Sequence, residues 1–148
     1  MTTLSMEELM RGPMPYLVLD KAMDAVAFYE RAFGAEVVGE PAVDDKGQVM
    51  NVMVRINDGI LMMNDYMPEM GPKPSMSGPA CTMQLVVDDG QAWWDRAVAA
   101  GCEVSMPFAK QFWGDTYGRL TDPFGWDWAI LEPSAESRAK SAEIAAAK

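Results

Sequence analysis

The sequence contains no histidine. That removes the commonest general base near neutral pH and the commonest transition-metal ligand. Every triad, dyad or zinc site that needs an imidazole is excluded with it. Cysteine is scarce. Cys81 and Cys102 lie too far apart for a C-x-x-C motif, and reduced thiols in a cytoplasmic protein are the expectation. Positive charge is also short, 12 Lys and Arg against 22 Asp and Glu, for a net charge of −10. Such a balance does not suit nucleic acid or an anionic membrane as a partner. It would suit a cationic ligand, although solubility alone accounts for it. No apolar run approaches the roughly 20 residues of a bilayer span. Met1 to Gly12 is acidic and lacks the basic start and apolar core of a secretory signal. Ser5-Met6-Glu7-Glu8 reads instead as a capping box opening a short helix.

What is present is a unit written twice. L-V-L-D, an amphipathic helix pattern and G-A-E-V-V run from Leu17 to Val38. L-V-V-D, a second helix pattern and G-C-E-V-S run from Leu85 to Ser105. A repeat of this kind governs the fold and is read before anything else. The chain is expected to be one α+β domain of two βαβββ modules, residues 13–65 and 81–133. A Pro- and Gly-rich linker at 66–80 and a helical tail at 134–148 complete it.

In module one, Asp20 reads as the N-cap of a helix over 22–33, with Met23, Val26, Ala27 and Phe33 near one face and Gly34 at its C-terminal end. Glu36 to Val43 reads as one strand, and Asp44 to Gly47 as a hairpin turn. Along Val49 to Ile56, Met50, Val52, Val54 and Ile56 alternate with Asn51, Met53 and Arg55. Ile60 to Asn64 closes the module. Met67, Met70 and Met76 in the linker read as a packed lid or dimer contact. In module two, Asp88 or Asp89 caps a helix over 91–100. Gln111 to Thr121 reads as one long strand, Asp122-Pro123-Phe124-Gly125 as a type I turn, and Trp126 to Leu131 as the last strand. Trp93 and Trp94 cannot share a side, so one is assigned to the core and the other to a dimer interface. The tail has one large apolar residue, Ile144, and is a frayed helix or an arm docking on another subunit.

The paired modules, F-Y-E-R-A-F-G on the first helix, and Q-F-W-G-D-T-Y-G-R-L-T-D-P-F-G at residues 111–125 resemble the vicinal oxygen chelate superfamily of glyoxalases, bleomycin-resistance proteins and dioxygenases. More narrowly they resemble its PhnB-like branch. The resemblance covers roughly Pro13 to Pro133. It implies curved mixed sheets around a cavity, homodimers, and in active members a divalent metal held by four side chains from the first and last strands of each module. Those positions fall near Met14, Met63, Thr82 and Ala129, none of which is a hard-metal ligand near neutral pH. A shift of one residue brings in Pro15, Met62, Asn64, Met83, Trp128 or Ile130, of which Asn64 alone offers a weak carbonyl oxygen. No metal and no other cofactor are therefore expected. Relatives resembling this chain often carry histidine where Asn51 and Trp126 stand, and that puts any chemistry of those histidines in doubt here. A methyltransferase label borne by some members finds no support, because no Gly-rich loop joins a strand to a helix to cradle a nucleoside cofactor.

Strand alternation gives the expected cavity lining: Tyr16, Asn51, Arg55, Met63, Gln84, Trp113, Asp115 and Tyr117, with Met53, Arg119 and Thr121 on the same faces. Gly114 and Gly118 fall on the opposite face, where a helix can pack closely. The aromatic residues are equally explicable as core or interface, and Arg55 with Asp115 as a structural ion pair or as solvated charges. Asp115 is the acid placed inside, so a carboxylate pair for acid/base work is unsupported. The leading expectation is a cytoplasmic homodimer that binds a small organic molecule in an aromatic cavity. An enzyme acting as a lyase, isomerase or transferase through Asp115, Tyr117 or Arg55, possibly with a metal, is the first alternative. An interaction protein whose cavity is filled by its own Trp and Met side chains is the second.

Overall fold

The computed structural model describes residues 4–73 and 81–147. The chain folds as two units, residues 1–76 and 77–148, each a mixed sheet with a helix packed on one face. Unit one comprises α1 (Met6–Leu9), β1 (Tyr16–Leu19), α2 (Ala22–Phe33), β2 (Glu36–Val37), β3 (Ala42–Val43), β4 (Val49–Ile56) and β5 (Gly59–Asp65). Its strand order is β1-β5-β4-β2, with β3 also on β4 and β1 parallel to β5. Unit two comprises β6 (Thr82–Val86), α3 (Gly90–Ala100), β7 (Glu103–Lys110), β8 (Thr116–Thr121), β9 (Asp127–Glu132) and α4 (Ala135–Ala146). Its order is β6-β9-β8-β7, with β6 parallel to β9. This is the expected α+β repeat.

Local chemistry explains most boundaries. Ser5 and Glu8 form the capping box, the Ser5 amide donating to Glu8 at 2.8 Å and the Glu8 amide to Ser5 Oγ at 3.3 Å. α2 ends at Gly34 in the left-handed conformation, φ 66°. Its buried stripe is Ala22, Ala25, Val26, Tyr29, Ala32 and Phe33, joined by Phe28, while Met23 and Ala27 face solvent. The expected face was rotated by one residue, because the bulky Phe28, Tyr29 and Phe33 decide which side is buried. Each buried aromatic contributes roughly 1.5–3 kcal/mol from area alone.

The strand expected over Glu36 to Val43 is broken into β2 and β3. Pro41 lies in the gap and cannot donate to a ladder. Opposite it, Val43 partners Val49 and Ala42 partners Asn51, one step on β3 against two on β4. Met50 is the extra residue of this bulge. The bulge shifts the alternation there, leaving Met50 half exposed and Val49 buried. From Asn51 onward the predicted faces hold, with Val52, Val54 and Ile56 buried.

The long strand expected over Gln111 to Thr121 is instead the turn of the β7–β8 hairpin, residues 111–115, followed by β8. The Gln111 amide donates to the Asp115 carbonyl at 2.8 Å and the Gly114 amide to the Gln111 carbonyl at 3.0 Å. Gly114 sits at φ 103°, which a residue with a Cβ rarely adopts. The Asp122 turn forms as read. Asp122 Oδ1 accepts the Phe124 and Trp126 amides, both at 2.9 Å, and Oδ2 accepts the Trp128 indole N–H at 2.9 Å. Of the expected linker, residues 74–80, Met76 among them, lie outside the described residues. Met67 is buried, and Met70, the last residue of a 3-10 turn over Pro68–Met70, is exposed.

Helix starts expose a feature of the repeat itself. Asp20 does not cap α2. The N-cap is Lys21, without a side-chain bond, and Asp65 at the end of β5 supplies the carboxylate instead. Asp65 Oδ1 accepts the Ala22 amide at 2.7 Å and Oδ2 the Val49 amide at 2.8 Å. In unit two Glu132, at the end of β9, accepts the Gly90 amide at 2.8 Å. Asp89 there caps α3 as well, accepting the Ala92 amide at 3.2 Å. Each last strand thus ends in a carboxylate that holds the N-terminus of its own unit's helix.

Candidate functional site

Cα partners across a sheet point to the same side, so register assigns the faces. In unit one Leu17, Met63 and Val52 form one row and Tyr16, Met62 and Met53 the next. The first row is buried on the α2 side. Met63 is fully covered there, so it does not line the open face; Met62 does. Counting forward from Gly59 was one residue out. The open face carries Tyr16, Asn51, Met53, Arg55 and Met62. The Tyr16 hydroxyl donates to the Met50 carbonyl at 3.2 Å and accepts from Asn51 Nδ2 at 2.9 Å. Arg55 turns to the hairpin end, its Nη2 bonding Asp58 at 3.1 Å. Its ion-pair partner is Asp58, not Asp115.

In unit two the α3 side holds Leu85, Ile130, Trp128 and Leu120. Gly118 belongs there too. A Cβ on it would lie 2.6 Å from Trp94 Cζ3 and 2.7 Å from Phe108 Cα. Trp94 is therefore the core member of the tryptophan pair, stacked on Phe108 with ring centroids 5.4 Å apart. The open face reads in rows across β6, β9 and β8: Thr82, Asp127, Thr121; Gln84, Ala129, Arg119; Val86, Leu131, Tyr117.

Two expected lining residues are elsewhere. Trp113 and Asp115 lie in the turn between β7 and β8, outside the strand whose alternation placed them inside. Asp115 Oδ1 accepts the Ser134 amide at 2.8 Å at the start of α4. That backbone bond, followed by the Ser137 hydroxyl, holds its carboxyl below the ordinary value. Trp113 sits edge-on to Tyr117 at 5.8 Å and to Phe112 at 5.0 Å. Phe112 is 98% exposed.

The open face of unit two holds a cluster that sequence reasoning did not assemble. Asp127 is buried, at 4% exposure, and its Oδ2 accepts the Thr82 hydroxyl and the Arg119 Nε, the latter at 3.1 Å. Arg119 Nη2 also bonds Asp127 and donates to Thr82 Oγ1 at 3.0 Å. Charge-assisted bonds of this kind are the strong ones, and they fix the guanidinium in place. The bond to Asp127 raises the arginine's pKa further, so it stays charged at any working pH. The signal for Asp127 was available. Trp128 and Ile130 mark the helix side of β9, which leaves Asp127 on the face of Arg119.

The positions that the family resemblance assigns to metal ligands carry Met14, Thr82, Ala129 and, by the observed register, Met62. Thioether and methyl groups do not suit a hard divalent ion, and the Thr82 hydroxyl, a neutral oxygen, is already bonded to Asp127 and Arg119. The nearby carboxylate, Asp127, is already engaged by a cation. Among the described residues, no three of His, Cys, Asp and Glu group so as to hold a metal. No described helix is long and apolar enough to cross a membrane.

Comparison with known proteins agrees with the fold. A family model described as Glyoxalase/Bleomycin resistance protein/Dioxygenase superfamily matches residues 16–130. An uncharacterised protein of Mycobacterium bovis is 39% identical over 127 residues, 82% of this chain and 83% of that protein. The protein YjdN of Escherichia coli is 31% identical over 137 residues, 78% of this chain and 91% of that protein. Among solved structures, a PhnB protein of Bacillus cereus superposes with TM-score 0.67 at 18% identity, covering 83% of this chain and all of that one.

Proposed function

Starting from the fact that the chain belongs to the glyoxalase/bleomycin resistance protein/dioxygenase superfamily, we propose that it is a PhnB-like member that binds a small organic molecule on the open face of its second sheet, without a catalytic divalent metal. The observation that carries the reading is the composition of that face. A fixed Arg119, the Gln84 amide and the Tyr117 hydroxyl share the open face of the sheet with Thr82 and Ala129, the two positions of this unit at which the resemblance would place metal ligands. A few convergent polar groups beside aromatic and aliphatic side chains are the usual make-up of a small-molecule site. The reading includes a cytoplasmic homodimer, for which the acidic surface and the free thiols of Cys81 and Cys102 are suited.

The enzymatic alternative narrows. Asp115 is committed to α4 and Arg55 to Asp58, so of the three groups considered only the Tyr117 side chain has no described hydrogen-bond partner. Methyl transfer finds no cradle either. The helix starts that would face a nucleoside cofactor are taken by Asp65 and Glu132.

The test is a thermal-shift screen of purified protein with and without EDTA, across divalent metals and a diverse small-molecule panel. A ligand at a hundredfold excess over Kd adds about 2.7 kcal/mol to native-state stability. A melting point indifferent to EDTA, raised by one organic class, supports the reading. A melting point lowered by EDTA and restored by one metal overturns it. No stabilisation by any compound favours the interaction protein with its own side chains filling the cavity.

A further inference from the structure

Three side chains on the open face of unit two have hydrogen-bonding capacity that the fold does not use. Arg119 spends Nε and Nη2 on Asp127 and Thr82, and its Nη1 has no described partner. The Gln84 amide and the Tyr117 hydroxyl bond no described side chain or carbonyl either. Gln84 and Arg119 lie in one row with Ala129 between them, so only a methyl group separates them on the intervening strand. Strands are ~4.8 Å apart and alternate residues ~6.7 Å along a strand. Arg119 and Tyr117 are therefore one alternate step apart, and Gln84 is two strands away.

The chemistry of a ligand follows from what these groups offer. Guanidinium Nη1 and a phenol present donors, and the amide presents donors with one acceptor. The guanidinium's charge is matched by the buried carboxylate of Asp127, and the chain as a whole carries a charge of −10. An anion gains no net positive field here. A cation would have to displace Arg119 from Asp127, whose Oδ2 already accepts from two side chains. The aromatic edge supplies the rest. Tyr117 meets Trp113, and Trp113 meets the almost fully exposed Phe112, so the rim of this face is a run of aromatic rings.

We propose that this face takes an uncharged, planar aromatic compound of one or two rings bearing a carbonyl or amide oxygen. The oxygen accepts from Arg119 Nη1, the Gln84 amide closes on the same polar end, and the ring lies against Tyr117. Thr82 and Asp127 act as positioning residues, because they hold the guanidinium and do not themselves meet the ligand. The assignment rests on the binding reading above and names its ligand class.

Three probes of one shape test it: 2-naphthamide, 2-naphthoate and 2-naphthamidine, titrated by calorimetry into the full chain. 2-Naphthamide is expected to saturate and to bind at least tenfold more tightly than either charged probe. Arg119→Lys, which keeps a cation beside Asp127 but loses Nη1, is expected to weaken 2-naphthamide tenfold or more, and Gln84→Ala about threefold. Circular dichroism of both variants checks that the fold is intact. Thr82→Val is expected to weaken 2-naphthamide without reversing the order of the three probes. A charged probe that binds as tightly as the amide overturns the proposal, as does unchanged 2-naphthamide affinity in both Arg119→Lys and Gln84→Ala. If no probe binds while another organic class raises the melting point in the screen, this inference fails and the binding reading stands. If neither binds, both fail.

Discussion

Removing the Asp65 carboxylate is the sharpest test of how the repeat is held together. Asp65 Oδ1 and Oδ2 accept from two segments that are distant in sequence, the Ala22 amide at the start of α2 and the Val49 amide at the start of β4. A hydrogen bond to a charged group contributes ~1.5–3 kcal/mol, and Asp65 is half-buried, so the lower end applies to each. Asp65→Ala then costs about 3 kcal/mol, since both N–H groups lose their acceptor. Asp65→Asn keeps one oxygen and turns an amide NH2 toward the other donor, for about 2 kcal/mol. Glu132→Gln has one bond to replace and an oxygen with which to replace it, and costs less than about 1 kcal/mol. Urea unfolding at constant m-value reads the totals, and hydrogen exchange of the Ala22 and Val49 amides reads the site. Both amides should exchange faster in Asp65→Ala while those of α3 do not change. If Asp65→Ala lies within about 0.5 kcal/mol of wild type, the carboxylate is not what anchors α2, and the equivalence of Asp65 with Glu132 is geometric only.

Gly118→Ala should destabilise by ~1–3 kcal/mol in the same unfolding assay, because the new methyl meets Phe108 backbone on β7 as well as the Trp94 ring on α3; full stability would mean that both β7 and α3 can give way. At pH 8, one thiol of the native protein should react with Ellman's reagent and the second only after denaturation. Cys81 is exposed, whereas burial, with the charge of Asp122 adding to it, pushes the Cys102 thiol up to about 12; two fast thiols would contradict this. Asp115 has a depressed pKa, so its hold on α4 is present above the ordinary carboxyl value of 3.8 and is lost as pH falls through the lower folded value. The Ser134 amide shift should titrate in that acid range, and Asp115→Asn should abolish the titration.

Elements that rest on local chemistry could be read from the sequence. The span of α2, its glycine end, the Ser5 capping box and the Asp122 turn all came from nearest neighbours. The repeat supplied the topology. What failed were the parities, because alternation is reliable only while a strand stays unbroken. The Met50 bulge reversed one face at one residue, and the turn at Gln111–Asp115 removed Trp113 and Asp115 from a strand that seemed continuous. Met63 was misplaced by a count anchored on a turn, and register alone corrects such an error.

The same limits explain why Asp127 escaped notice. Its partners Thr82 and Arg119 lie 45 and 8 residues away and meet only once β6, β9 and β8 are aligned side by side. A carboxylate inside the otherwise apolar run D-W-A-I-L is costly to bury without a counter-charge. That cost is itself information, because such a residue must have a cationic or donor partner on its own face. Of the basic residues in unit two, Arg119 has the parity to serve. Arg138 is tied to Asp88, and Lys110 stands at the far end of the edge strand. The pairing thus follows from burial and alternation taken together. It leaves Arg119 with one unspent edge on the open face, and the 2-naphthamide titration asks what that edge receives.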